Sequence, residues 1–307
     1  MDALDIKILR EILKSESIGP FPSSLASLRK VGLAVGVDKD TVRNRLLALK
    51  KKGVLTGWHS MMNPNLLGMK STRLWLGYST EELKEKGVKA LASVANVRAV
   101  YDYVGNFAST VIVHKPLSQS QKTEAEKVAS KTSAQVLYKA TISFPSTHTI
   151  LTSSDWRIYN AIRSNPQTTH RIVANETELS PRTVKRRLQR LSEENAILVV
   201  PDIDSKKLDG IVAEILVGFD SSDFSYPLKQ ISSFGKNCVI REERYDAPLA
   251  LFSIVSSNIA TAREMYQSAK SQPGVFDTQL FILQDIVRPR SPLQFAAGST
   301  IMNRSKT

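Results

Sequence analysis

The chain has 307 residues, of which 42% are hydrophobic and 23% charged. That length predicts about two globular units, and that balance excludes a disordered tail or a fibrous protein. No apolar run approaches the ~18 residues of a membrane-spanning helix, residues 1–14 lack the cationic start and apolar block of a secretory leader, and one cysteine, Cys238, excludes an intrachain disulfide and a thiolate-rich zinc site. These features predict a cytoplasmic protein without membrane contact. Lys and Arg number 42 against 29 Asp and Glu, a net charge of +13, which favours a polyanionic partner.

The first helix is predicted from Leu4, Ile8, Leu9 and Ile12, whose spacing makes one buried stripe. Residues 24–35 form a second helix that contains Gly32, and a third opens at Asp38-Lys39-Asp40-Thr41, where the Asp38 carboxylate serves the orphan N–H groups of the first turn. In that third helix Val42, Leu46 and Leu49 share the inner stripe; Asp40, Arg43, Asn44 and Lys51 lie opposite. The extended run that begins at Gly53-Val54-Leu55 takes the place of a wing, and each three-helix unit is expected to end in an extended hairpin. Residues 72–145 then read strand, helix, strand, strand, helix, strand, a ferredoxin-like βαββαβ unit. One face of its sheet is covered by the two helices; the other is left apolar, which invites pairing of sheets.

The order of elements then starts again. Leu4-Asp5-Ile6-Lys7-Ile8-Leu9 is answered by Ser154-Asp155-Trp156-Arg157-Ile158-Tyr159, and Thr41-Val42-Arg43-Asn44-Arg45-Leu46 by Thr183-Val184-Lys185-Arg186-Arg187-Leu188. The spacing differs by about eight residues, assigned to a loop near Gly19-Pro20-Phe21-Pro22 in the first copy. In the second copy residues 169–177 form the second helix. Ser180-Pro181 starts the third with a serine cap and a proline whose missing N–H costs nothing. Residues 182–190 carry five cations and no acid. Arg182, Lys185, Arg186 and Gln189 occupy the free face, while Arg45 and Arg187 sit at the edge of the buried stripe, where ion pairs with Asp5 and Asp155 compete with phosphate contact. Residues 211–287 repeat the βαββαβ pattern.

A tight helix pair whose second helix is basic on its free face has the form of a helix-turn-helix reader. Together with Leu4-Asp5, Ile8-Leu9, the link Gly57-Trp58-His59-Ser60-Met61-Met62-Asn63-Pro64 and the Pro273-Gly274-Val275 turn, this order of elements resembles the Lrp/AsnC, or feast/famine, transcription regulators. The resemblance implies an α+β chain in which two winged helix-turn-helix domains alternate with two ferredoxin-like effector and dimerisation domains. The expected boundaries are a first reader at 1–57, a linker strand at 58–71, a first ferredoxin-like domain at 72–147, a second reader at 152–200, a second ferredoxin-like domain at 211–287, and a basic tail at 288–307. Family members usually carry one reader and one effector module; this chain resembles a fused pair, a pseudo-dimer within one polypeptide or half of a homodimer.

The expected function is that of a sequence-preferring, nucleoid-associated regulator of transcription. Its expected partner is double-stranded DNA, met by Lys39, Asp40, Thr41, Arg43, Asn44 and Lys51 in the first reader and Arg182, Thr183, Lys185, Arg186, Gln189 and Arg190 in the second. The resemblance also implies an effector such as an amino acid near Gly105, Asn106 and Phe107. No cofactor is expected: phosphate-loop, dinucleotide, nucleophile-elbow and zinc-protease motifs are absent, and the four histidines, His59, His114, His148 and His170, lack metal-ligand spacing. Two alternatives share this pattern. Siroheme decarboxylases resemble it in architecture, with a tetrapyrrole pocket lined by His and Arg and no use for cationic third helices. A packaging protein would bind DNA with little preference for sequence.

Overall fold

The computed structural model describes residues 1–14, 25–116, 123–163, 165–166, 168–235, 238–256 and 258–288. The expected loop around Gly19 and Pro22 and the basic tail beyond Arg288 lie outside them. Three helices open the chain, α1 (Ala3–Lys14), α2 (Leu25–Val35) and α3 (Lys39–Lys51), followed by β1 (Leu55–Met62). The first βαββαβ unit comprises β2 (Lys70–Gly77), α4 (Glu81–Ala92), β3 (Val97–Tyr103), β4 (Phe107–His114), α5 (Glu124–Lys131) and β5 (Gln135–Thr141). The repeat brings α6 (Ser153–Ile162), α7 (His170–Thr177), α8 (Pro181–Glu193) and β6 (Ile197–Ile203). It closes with β7 (Ile211–Phe219), α9 (Ser225–Phe234), β8 (Val239–Arg244), β9 (Leu249–Ser256), α10 (Ile259–Lys270) and β10 (Val275–Val287). The α+β class read from the sequence holds.

The expected hairpin after each third helix does not form. Each copy supplies one strand, and the two strands pair antiparallel with each other, Leu55 opposite Ile203 and Met62 opposite Ile197. A single strand leaves its backbone donors and acceptors unpaired on both edges; the equivalent strand is the one in the other repeat. The wing position is therefore a two-stranded ribbon that ties the readers together within one chain.

The two ferredoxin-like units also join. Their strands form one eight-stranded sheet in the order β5-β2-β4-β3-β10-β7-β9-β8. The seam is the antiparallel pair of β3 and β10, which places Leu283 opposite Tyr103 and Val287 opposite Val100. At the far ends Ile142 bridges Tyr245, and Asp246 N–H donates to the Thr141 carbonyl at 2.9 Å, so the outer edges meet and the sheet closes on itself.

Helices cover the outside of each half. Leu74, Leu76, Val97, Val100 and Ile112 pack with Leu91 and Ala129 in one half, and Ile215, Val217 and Phe252 pack with Leu228, Ile231 and Met265 in the other. The inner face carries Trp75, Tyr103, Leu216, Tyr245, Leu251 and Phe281. It is not uniformly apolar as the sequence suggested: Arg73, Glu214 and Glu243 are buried there. Each reader rests on the opposite repeat. Leu9 and Leu13 of α1 pack with Ile240 of β8 and Arg10 donates to the Ser232 carbonyl, while the second reader buries Met62 of β1 in its core.

Candidate nucleic-acid interface

In the first reader the Asp38 carboxylate accepts from the Asp40 and Thr41 N–H groups, both at 2.8 Å, and this cap starts α3. The preceding turn comes close to α2. Val37 N–H donates to the Gly32 carbonyl at 2.9 Å, and a Cβ at Gly32 would lie 2.5 Å from the Val37 carbonyl oxygen. The glycine is thus what lets the turn fold tightly. Gly36 supplies the left-handed residue at φ +78°.

The second reader repeats this geometry with other residues. Leu179 N–H donates to the Ala174 carbonyl at 3.0 Å, Glu178 takes the left-handed position at φ +57°, and Ser180 caps α8 through Thr183 N–H at 3.1 Å. Val184, Leu188 and Leu191 are buried beside Ile158, Ile162 and Val173.

Asp155 is the keystone of this unit. It closes a capping box with Thr152 at the start of α6 and receives Arg187 at 2.9 Å and Arg190 at 2.7 Å. Burial works against its charge, yet the Thr152 N–H and hydroxyl and the two guanidinium groups hold its pKa below the ordinary value. In the first copy Arg45 pairs with Asp2 at 2.5 Å and Asp5 at 3.4 Å. Arg190, expected among the DNA contacts, is tied to the scaffold through Asp155 while its side chain stays 40% exposed; it follows Arg187 by three residues and shares its flank of the helix.

The remaining expected residues divide. Thr41 and Thr183 are turned to the caps, the first donating to Asp38 at 2.7 Å and the second sharing a hydrogen bond with Ser180 at 2.9 Å. Arg43 pairs with Asp40 at 2.7 Å, both exposed. Lys39, Asn44 and Lys51 are exposed on α3. On α8 Arg182, Lys185 and Arg186 are exposed, and no ion pair or hydrogen bond engages them among the described residues; Gln189 donates to Glu193 at 2.9 Å. Sequence reasoning missed the start of α7, where exposed Arg171 follows His170. Burial and the charge of Lys185 lower the His170 pKa, so this end of α7 lies against the free face of α8. The readers are unequal: the first exposes Leu33 at 75% and Leu47 at 57%, the second a cluster of cations.

Gly105, Asn106 and Phe107 form the β3–β4 turn, with Gly105 at φ +81°. The Asn106 carbonyl accepts from Tyr78 N–H at 2.9 Å, and the half-exposed Phe107 ring packs edge-on to Phe281. Among the described residues no group of three His, Cys, Asp or Glu side chains is placed to hold a metal, and no helix is long and apolar enough to cross a membrane.

A capped helix pair with a polar, cationic second helix, present twice and carried on a closed ferredoxin-like double sheet, defines a tandem winged helix-turn-helix protein of the DNA-binding regulator class. Residues 151–197 match the family described as winged helix-turn-helix DNA-binding. The chain is 30% identical over 129 residues to the HTH-type transcriptional regulator Ptr1 of Methanocaldococcus jannaschii, covering 42% of this chain and 82% of that protein. It belongs to the Lrp/AsnC family of HTH-type transcriptional regulators. Its fold is similar to that of the siroheme decarboxylase NirDL along 99% of this chain and 100% of that one, with a TM-score of 0.55 and 13% identity. Escherichia coli AsnC aligns with 45% of this chain and 94% of its own, with a TM-score of 0.36 and 16% identity.

Proposed function

We propose that this chain is a sequence-preferring regulator that presents two unequal readers to duplex DNA from one intrachain pseudo-dimer. The observation that carries the reading is the free face of α8. Arg182, Lys185 and Arg186 stand exposed while the neighbouring Arg187 and Arg190 share the Asp155 carboxylate. Three unmatched cations on the second helix of a helix-turn-helix pair suit phosphates and guanine edges, and one bidentate arginine-guanine contact discriminates by roughly 1–3 kcal/mol. Because α3 and α8 differ, one chain favours an asymmetric site. Lys185→Ala with Arg186→Ala weakens a preferred site at least about tenfold at moderate salt, some 1.4 kcal/mol; a gel-shift titration that shows no change rejects the assignment.

A second reading is a tetrapyrrole enzyme of the NirDL kind, supported by the full-length fold likeness. Titration with an iron tetrapyrrole separates the two: a shifted absorbance band in a protein that retains no DNA selects the enzyme. The Gly105-Asn106-Phe107 turn is proposed as an effector contact of the regulator, since it borders Phe281 of the second repeat and a ligand there would touch both halves.

A further inference from the structure

The interior of the closed sheet is filled by aromatic side chains at one end and left open beneath the β1–β6 ribbon. A cavity of about 230 Å³ lies there, reached by Arg98 and Tyr101 of β3, Arg241 of β8, and apolar groups that include Val212, Ile240 and Ile286. Two of the acids that line it are committed. Glu214 accepts from Arg73 at 2.5 Å and from the Tyr103 hydroxyl, and Glu243 holds Arg241 at 2.9 Å, Arg73 at 3.5 Å and the Tyr245 hydroxyl. Asp202 of the ribbon also lines the cavity and is engaged as well.

Arg98 is not among the paired charges of this region. No ion pair or hydrogen bond holds it among the described residues, and burial together with the like charge of Arg241 pushes its pKa below the ordinary arginine value. Arg98 keeps partial contact with water and has no carboxylate of its own among the described residues, and together with Arg241, which Glu243 already pairs, it leaves this wall of the cavity with an excess of positive charge.

We propose that this cavity binds a small organic carboxylate, with its anionic end between Arg98 and Arg241 and its carbon chain against Val212, Ile240 and Ile286. The volume equals roughly eight water molecules at about 30 Å³ each, which fits an acid of about five or six carbons. The ligand is an oxo or simple acid rather than an amino acid, because the lining acids are already engaged and none is left to receive an ammonium group. The site is distinct from the Gly105 turn, which lies at the opposite end of β3 from Arg98. Its roof strands follow directly from α3 and α8, so occupancy is relayed to both readers; that relay rests on the regulator reading above.

The test is calorimetry and thermal melting of the full chain with 2-oxobutanoate, 3-methyl-2-oxobutanoate and 4-methyl-2-oxopentanoate, with L-valine and 3-methyl-2-butanone as controls. At least one acid binds and raises the Tm, and neither control does. Arg98→Gln weakens that acid at least tenfold and raises the Tm of the unliganded chain, because it deletes an unmatched charge; a merely structural arginine would lower it. Failure of all three acids to bind, or an equal response in Arg98→Gln, overturns the site. A gel shift with the bound acid reads the relay: unchanged DNA retention overturns it, whereas a chain that binds the acid and no DNA keeps the site and removes the regulator reading.

Discussion

The guanidinium of Arg73 on β2 meets the carboxylate of Glu214 on β7 at 2.5 Å, with side-chain exposures of 1% and 5%, and the two residues hold equivalent positions in the two repeats. Arg73 lies opposite Val111 in the first half and Glu214 opposite Ser253 in the second. A symmetric dimer made from either half alone would bury two like charges at this point. The pair therefore favours the union of unlike halves, which is what one chain provides.

Removing one member strands the other in the sheet interior. Arg73→Met leaves Glu214 without its cation and costs about 3–5 kcal/mol. Burial opposes the charge of Arg73, but Glu214 and its neighbours hold it fully protonated, its pKa well above the ordinary value. Adding Glu214→Gln to Arg73→Met recovers part of the loss. Urea denaturation of the two single variants and the double gives the coupling; strictly additive costs would show that the pair confers no specificity.

Asp155 makes the second reader sensitive to acid. Its folded pKa lies below its unfolded value, so the stability it contributes is fully present above about pH 4 and is lost as the pH falls through the folded pKa. Asp155→Asn costs about 1–3 kcal/mol near pH 7, toward the lower end because Arg187 and Arg190 are partly exposed and regain water. The gap between variant and parent narrows below about pH 4. Urea midpoints measured from pH 7 down to pH 3 check this, and a constant gap contradicts it.

Much of this arrangement was legible in the sequence. Ser180-Pro181 and Asp38 mark the starts of α8 and α3 because capping is local chemistry, and the α+β class follows from two periodicities that repeat in order. Partner choice was not legible. Alternation assigns faces to residues 55–62 but does not say that their mate is residues 197–203. Arg73 sits within an alternating strand where a charge normally marks the solvent side; only the meeting of two sheets turns that side inward. Arg190 reads as a free cation until the fold brings Asp155, 35 positions away, beneath it.

The helix turns give a paired test of backbone strain. Glu178 adopts φ +57° where the first copy has Gly36 at φ +78°. A left-handed non-glycine residue costs roughly 1–2 kcal/mol, while glycine costs about 0.5–1 kcal/mol in unfolded-state entropy. Glu178→Gly is thus stabilising by about 0.5 kcal/mol, and Gly36→Ala destabilising by about 1 kcal/mol. Chemical denaturation reads both, and the same sign for the two would refute the strain argument.

Salt dependence separates the cations that meet phosphate from those that hold the fold. Each phosphate contact releases counterions, so the logarithm of the binding constant falls linearly with the logarithm of salt, and loss of one such contact reduces the slope by about 1. Lys185 is exposed with no acid engaged to it among the described residues, whereas Arg190 is tied to Asp155 at 2.7 Å. Lys185→Ala lowers the salt slope by about one unit and leaves the urea midpoint within about 0.5 kcal/mol of the parent. Arg190→Ala does the reverse, because its charge is already spent on a carboxylate and its removal uncovers part of Asp155. Fluorescence anisotropy on one duplex across a salt series, set beside denaturation of the same two variants, measures both quantities. Equal slopes for Lys185→Ala and the parent would show that the free face of α8 does not meet the DNA backbone.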